Sequence, residues 1–115
     1  MDRNGWPLAF LCTIVSETPV YVFALGRTMG AGHALLVGLL LNLLTHPLAW
    51  STITAAPHPF PWVFLWVEGV VLAAEALLVF SLGRTSWSRR RIGVAEALAI
   101  SLSANSLSAG LGLLL

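Results

Sequence analysis

The chain has 115 residues, of which 57% are hydrophobic and 10% charged, with a formal net charge of +1. A soluble domain carries about 25% charged residues, and so short a chain has too little core to hide this much apolar surface. Composition therefore excludes an ordinary soluble domain, and the absence of a basic stripe interleaved with aromatics excludes nucleic acid as the expected partner.

Apolar runs of about 20 residues span a bilayer, and the chain contains such runs near 6–26, 33–54, 62–83 and 92–115. The first does not read as a cleavable leader, because it lacks a basic start and Ser16, Glu17, Thr18 and Pro19 interrupt its middle. Cys12 is the single cysteine and sits among apolar neighbours, so it is expected to be inert packing. The first run ends in Val22–Thr28, VFALGRT, whose Gly26-Arg27-Thr28 is expected to form a turn. The second run carries Asn42, Thr45, His46 and Pro47. Prolines at 57, 59 and 61 then forbid a continuous helix and predict a short, rigid, uncharged connection. The third run carries Glu68 and Glu75 and ends in Val79–Thr85, VFSLGRT. A longer connection with Arg89, Arg90 and Arg91 leads into the fourth run, where Glu96 is followed by many Ala, Ser and Gly residues and by Asn105.

The two heptapeptides agree at six of seven positions. Each follows a glutamate, Glu17 or Glu75, and each precedes a helix in which an asparagine is followed three residues later by Thr45 or Ser108 and then by Pro47 or Gly110. The expected fold class is thus an all-α membrane protein of four transmembrane helices, built from two tandem duplicated helical hairpins. It forms a single integral membrane domain over 1–115, with repeat 1 about 6–54 and repeat 2 about 62–115. Two spans per unit return the chain to its starting side, which makes the repeats parallel, about an axis along the membrane normal.

Arginine placement gives the orientation. Arg27, Arg84, Arg89, Arg90 and Arg91 fall in the first and third connections, while the middle one carries no formal charge. By the positive-inside rule, the arginine turns face the cytoplasm and both termini face the periplasm or exterior. Trp6, Trp50 and Trp62 then share the outer interface, and Trp87 lies at the inner one. Compact turns and a single cysteine fit a bacterial inner membrane.

The chemistry lies in acids that no base accompanies. Glu17, Glu68, Glu75 and Glu96 lie inside the runs, and no Lys or Arg does. A carboxyl in hydrocarbon has to be protonated, hydrogen-bonded or in contact with a cation. At about 1.5 Å per residue, Glu17, Glu75, Asn42 and Asn105 all come out near the midplane of their helices. Glu68 and His46 fall at one depth in the outer half, so a polar track Glu68–His46–Glu75–Asn42–Glu17 is expected. Four-residue spacing places Thr13, Glu17 and Tyr21 on one face, as it does Asn42 with His46 and Ser101 with Asn105. Pro19 and Pro47 withhold a donor from the Val15 and Leu43 carbonyls, for which Thr18 or Thr45 are candidate partners.

Glu17, Asn42, His46, Glu68, Glu75 and Asn105 are therefore the expected binding residues for a proton, a cation or a polar substrate. Asn42 and Asn105 also suit plain interhelical hydrogen bonding. Glu96 is expected to pair with the nearby arginines, and His33 and His58 to be solvated. No His-x-x-x-His, Gly-x-Ser-x-Gly or cysteine pair is present, so neither catalytic residues, nor a metal set, nor a cofactor is expected. The expected function is proton- or cation-linked transport or conduction of a small solute. Its alternative is a non-catalytic accessory subunit of a larger membrane complex. An intramembrane enzyme using His46, Glu68, Glu75 and a serine within 101–108 is the remote one. Four helices are few for a closed pathway, so the expected partners are the bilayer and either a second copy or a larger assembly.

Overall fold

A computed structural model describes residues 5–55 and 60–114. Its elements are α1 (Trp6–Met29), α2 (Ala31–Ala55), α3 (Phe60–Leu82) and α4 (Val94–Leu114). All four are long and apolar enough to cross a membrane, over Pro7–Met29, Ala31–Thr52, Trp62–Leu82 and Val94–Leu111. The longest dimension, 44 Å, matches the thickness of a bilayer with its headgroups. The protein is thus an all-helical integral membrane protein.

Neighbour contacts run α1–α2, α2–α3, α3–α4 and α4–α1, so the helices form a closed ring with α1 and α3 on one diagonal. Polarity is inverted relative to a soluble bundle. Phe23, Leu48, Trp62 and Trp66 lie on the outside, at 90%, 71%, 74% and 74% exposure. Inside, Glu17, Asn42, Glu75, Ser101 and Asn105 are buried beside Tyr21, Leu25, Val37, Leu41 and Val79. Lipid is as apolar as leucine, so polar groups gain by turning inward to find partners.

The first Gly-Arg-Thr differs from its expectation as a turn. Gly26, Arg27 and Thr28 belong to the last turns of α1. The reversal falls instead on Gly30, whose φ of 85° lies in the left-handed region that a side chain disfavours, and whose N–H donates to the Gly26 carbonyl at 2.8 Å. One residue therefore separates α1 from α2. The second Gly-Arg-Thr does form a turn, with Arg84 N–H donating to Ser81 O and Thr85 N–H to Leu82 O, both at 3.1 Å.

The α3–α4 connection is packed rather than loose. Ile92 is fully buried against Gly83, Arg89 N–H donates to the Thr28 carbonyl at 2.8 Å, and Trp87 stacks on His33 at 4.7 Å. The Arg84 guanidinium lies 4.2 Å from the centre of the Phe80 ring. Glu96 pairs with Arg90, as the sequence leads one to expect. The helices continue through Pro19 and Pro47. Val15 and Pro19 both face outward, which places the carbonyl without a helical donor on the lipid side of α1. Residues 56–59, with His58 and most of the expected proline connection, lie outside the described residues, as does the side chain of Trp6.

Candidate functional site

Glu75 is the hub. Its carboxyl meets a polar group from each of the other three helices. Tyr21 of α1 donates its hydroxyl to Oε2 at 2.8 Å, reaching across the diagonal of the ring. Asn105 of α4 donates Nδ2–H to the same oxygen at 2.6 Å. Thr45 of α2 lies 3.1 Å from Oε1. Glu75 and Tyr21 are 1% and 0% exposed, so neither the carboxyl nor the phenol touches solvent or lipid.

Thr45 has only one hydroxyl hydrogen, and two oxygens contend for it. Its Oγ1 lies 2.8 Å from the Leu41 carbonyl, which can only accept, as well as 3.1 Å from Glu75. When Glu75 is an anion, Thr45 donates to Oε1. When Oε1 carries a proton, that proton is donated to Thr45 Oγ1 and Thr45 donates to Leu41. Either state leaves both carboxyl oxygens satisfied, because a hydroxyl donates and accepts by rotating about one bond.

Asn105 is fixed by its own helix, with Nδ2 also 2.8 Å from the Ser101 carbonyl. Ser101 in turn donates to the Leu72 carbonyl of α3 at 3.0 Å, tying α4 to α3 one turn from the hub.

Glu17 is differently placed. It is 2% exposed and accepts one hydrogen bond, from Ser108 of α4 at 2.7 Å to Oε1. Asn42 lies against it, and Glu75 is within electrostatic reach. Its other oxygen, Oε2, has no hydrogen-bond partner among the described residues, nor do Thr18 Oγ1 and Asn42 Oδ1. Asn42 is oriented by its own backbone, since Nδ2 donates to the Gly38 carbonyl at 3.0 Å and leaves Oδ1 for a partner outside the helix.

The structure brings Glu17, Asn42, Glu75 and Asn105 into this buried network, with Glu68 only partly buried and outside its hydrogen bonds. His46 is elsewhere: its ring stands 5.1 Å from Phe10 and 6.4 Å from Trp50, in an aromatic cluster towards the Trp50 end. Thr13 donates to the Ala9 carbonyl instead of joining the layer. Three side chains that hydrogen-bond the two glutamates, Tyr21, Thr45 and Ser108, were not among the expected binding residues. The signal for two of them was present, since Asn42-x-x-Thr45 and Asn105-x-x-Ser108 repeat a hydroxyl one turn after each asparagine. Among the described residues no three His, Cys, Asp or Glu side chains gather to hold a metal ion.

The network also approaches the lipid. An open, mostly apolar groove of about 610 Å³ runs between α2 and α3, lined by Leu48, Trp62, Trp66 and Val70 among others. Thr45 lines it too, so a single side chain separates the groove from the Glu75 carboxyl. Comparison with protein families, with curated proteins and with solved structures finds no match to this chain.

Proposed function

We propose that the protein is a small membrane transporter or channel in which the Glu17–Glu75 layer carries protons or a small cation, coupled to or in place of a small solute. The observation that carries this reading is the hydroxyl of Thr45, poised between Leu41 and Glu75. A carboxyl that only braces the bundle needs one protonation state. One that loads and releases a proton inside a membrane needs both states satisfied, because an unanswered polar group there costs several kcal/mol, on the order of a whole hydrogen bond or more. The groove at Thr45 offers a path of approach from the bilayer.

The same reading includes the duplicated hairpins. What supports them is reciprocity: Thr45 of the first half reaches Glu75 of the second, and Ser108 of the second reaches Glu17 of the first. Within each half an asparagine accompanies the glutamate, Asn105 at Glu75 and Asn42 at Glu17. Placement in a bacterial inner membrane, with arginine turns inside and both termini outside, completes the proposal.

The test is flux into proteoliposomes under an imposed pH or cation gradient. Glu75→Gln and Glu17→Gln are each expected to lower it at least about tenfold, the scale of one lost charged interaction. Undiminished flux in both variants excludes the reading.

A second reading, an accessory subunit or a dimer, has its own observation. Ala95, Ala99, Ser103, Ser106 and Gly110 of α4 all face outward, while Ala97, Ser101 and Ala104 face the core. An outward stripe of small residues suits close approach by another helix. Purification in mild detergent separates the cases: stoichiometric partners favour a subunit, and a clean homo-oligomer favours a self-sufficient transporter.

A further inference from the structure

Three oxygens on the α1–α2 seam have no hydrogen-bond partner among the described residues: Glu17 Oε2, Thr18 Oγ1 and Asn42 Oδ1. Their residues are 2%, 8% and 0% exposed, so water does not answer them from outside. They also lie close along the fold. Glu17 and Thr18 are consecutive. Thr18 Cα comes within 3.5 Å of where a side chain at Gly38 would start, and Asn42 stands one turn beyond Gly38 on the same face of α2. Asn42 in turn lies against Glu17. Reversing the amide does not cure the orphan, because it would set Oδ1 3.0 Å from the Gly38 carbonyl oxygen, acceptor against acceptor.

One group of this kind is a fault in packing; three on one seam are a set. Protons answer all three only if Glu17 is itself protonated and the Thr18 hydroxyl turns its own hydrogen to a neighbour. A cation answers all three at once with Glu17 left ionised, since carboxylate, hydroxyl and amide oxygens are what a hard ion coordinates.

We propose that Glu17 Oε2, Thr18 Oγ1 and Asn42 Oδ1 form a binding site for a dehydrated monovalent alkali cation. The donor set is one carboxylate and two neutral oxygens, with no nitrogen or sulfur, which disfavours transition metals. A single carboxylate balances one positive charge. A divalent ion would draw on Glu75 as well, whose oxygens are already engaged by Tyr21, Asn105 and Thr45. The site deepens the transport reading and rests on it, naming the ion and separating its seat from the Glu75 hub.

The experiment is thermal unfolding of the purified full chain as LiCl, NaCl or KCl replaces choline chloride at constant ionic strength. Ligand that binds only the folded state raises its stability in a saturable way. The expected result is a saturable rise in unfolding temperature with at least one of the three ions over choline. Thr18→Val, of the same shape, is expected to weaken the apparent affinity about tenfold, Thr18→Ser to restore it, and Glu17→Gln to abolish the rise. If none of the three ions stabilises the wild type beyond choline, or if Thr18→Val keeps the wild-type dependence, the site is overturned. Proton flux measured in choline alone keeps the two ideas apart. Loss of flux in Glu17→Gln and Glu75→Gln without any cation effect overturns the cation site and leaves proton transport standing. Undiminished flux in both variants overturns the reading on which the site rests.

Discussion

Glu75 and Glu17 sit in one buried layer, yet Glu75 meets a polar group from each of the other three helices, while Glu17 accepts a single hydrogen bond, from Ser108. Part of the difference comes from one residue. Tyr21 lies one turn after Glu17 on α1, but its long side chain passes Glu17 and delivers its hydroxyl to Glu75 across the ring. The residue one turn after Glu75 is Val79, buried and without a polar atom, so no such gift is returned to Glu17. Two glutamates with similar neighbours in sequence thereby become unequal: one is a braced junction, the other keeps an oxygen in reserve. Bracing fixes the geometry of the layer, and the reserve is what binding uses.

That inequality is open to direct attack. The largest effect is expected from Glu75→Ala, which strands the Tyr21 hydroxyl and the Asn105 amide in the core. The loss in unfolding free energy should be on the order of 3 kcal/mol, against about 1 kcal/mol for Glu17→Ala. Unfolding titrations in mixed micelles that give the two variants equal losses would break the comparison.

Next comes a test of the frame that holds the layer. A Cβ on Gly83 would stand 2.5 Å from Ile92 Cβ, whereas one on Gly38 would meet Tyr21 at an ordinary 3.4 Å. Gly83→Ala is expected to cost about 1–3 kcal/mol by overpacking, and Gly38→Ala less than about 1 kcal/mol. Similar midpoints for both variants in the same titration would show the α3–α4 connection to be more yielding than its packing implies.

Tyr21→Phe sharpens the comparison at its source. It keeps the ring and removes only the diagonal hydrogen bond, for an expected loss of about 1 kcal/mol. A double-mutant cycle with Glu75→Gln should recover most of that loss as coupling, and the same cycle with Glu17→Gln should recover almost none.

The smallest effect is expected outside the layer. Arg90 and Glu96 form an exposed ion pair, and Arg90→Ala should leave the unfolding midpoint within scatter at high salt, with any difference confined to low salt. A large salt-independent loss would mean that the arginine connection contributes more to the frame than the central carboxyls do.

Much of the fold is legible in the sequence. The spans near 6–26, 33–54, 62–83 and 92–115 correspond to α1–α4 with ends displaced by a few residues, because hydropathy is a local property that needs no knowledge of neighbours. The depth of Glu17, Asn42, Glu75 and Asn105 follows from the rise per residue, and all four are buried together. The first Gly-Arg-Thr was harder. Identical residues are helical in one place and a turn in the other, because Gly30 supplies the reversal after α1 while Gly83 abuts Ile92. His46 shares a face with Asn42 by spacing, but its ring leans to Phe10 and Trp50, which spacing on one helix does not foresee.

Sequence by itself determined that this is a membrane protein of four helices, with acids and amides near mid-depth, since those features depend on composition and on distance along a helix. Only the tertiary structure decided which groups meet. The spans are apolar nearly all round, so no periodicity fixes how each helix is rotated. That rotation is set by packing, and with it come the reach of Tyr21 to Glu75, the double allegiance of Thr45 and the unanswered oxygens beside Glu17.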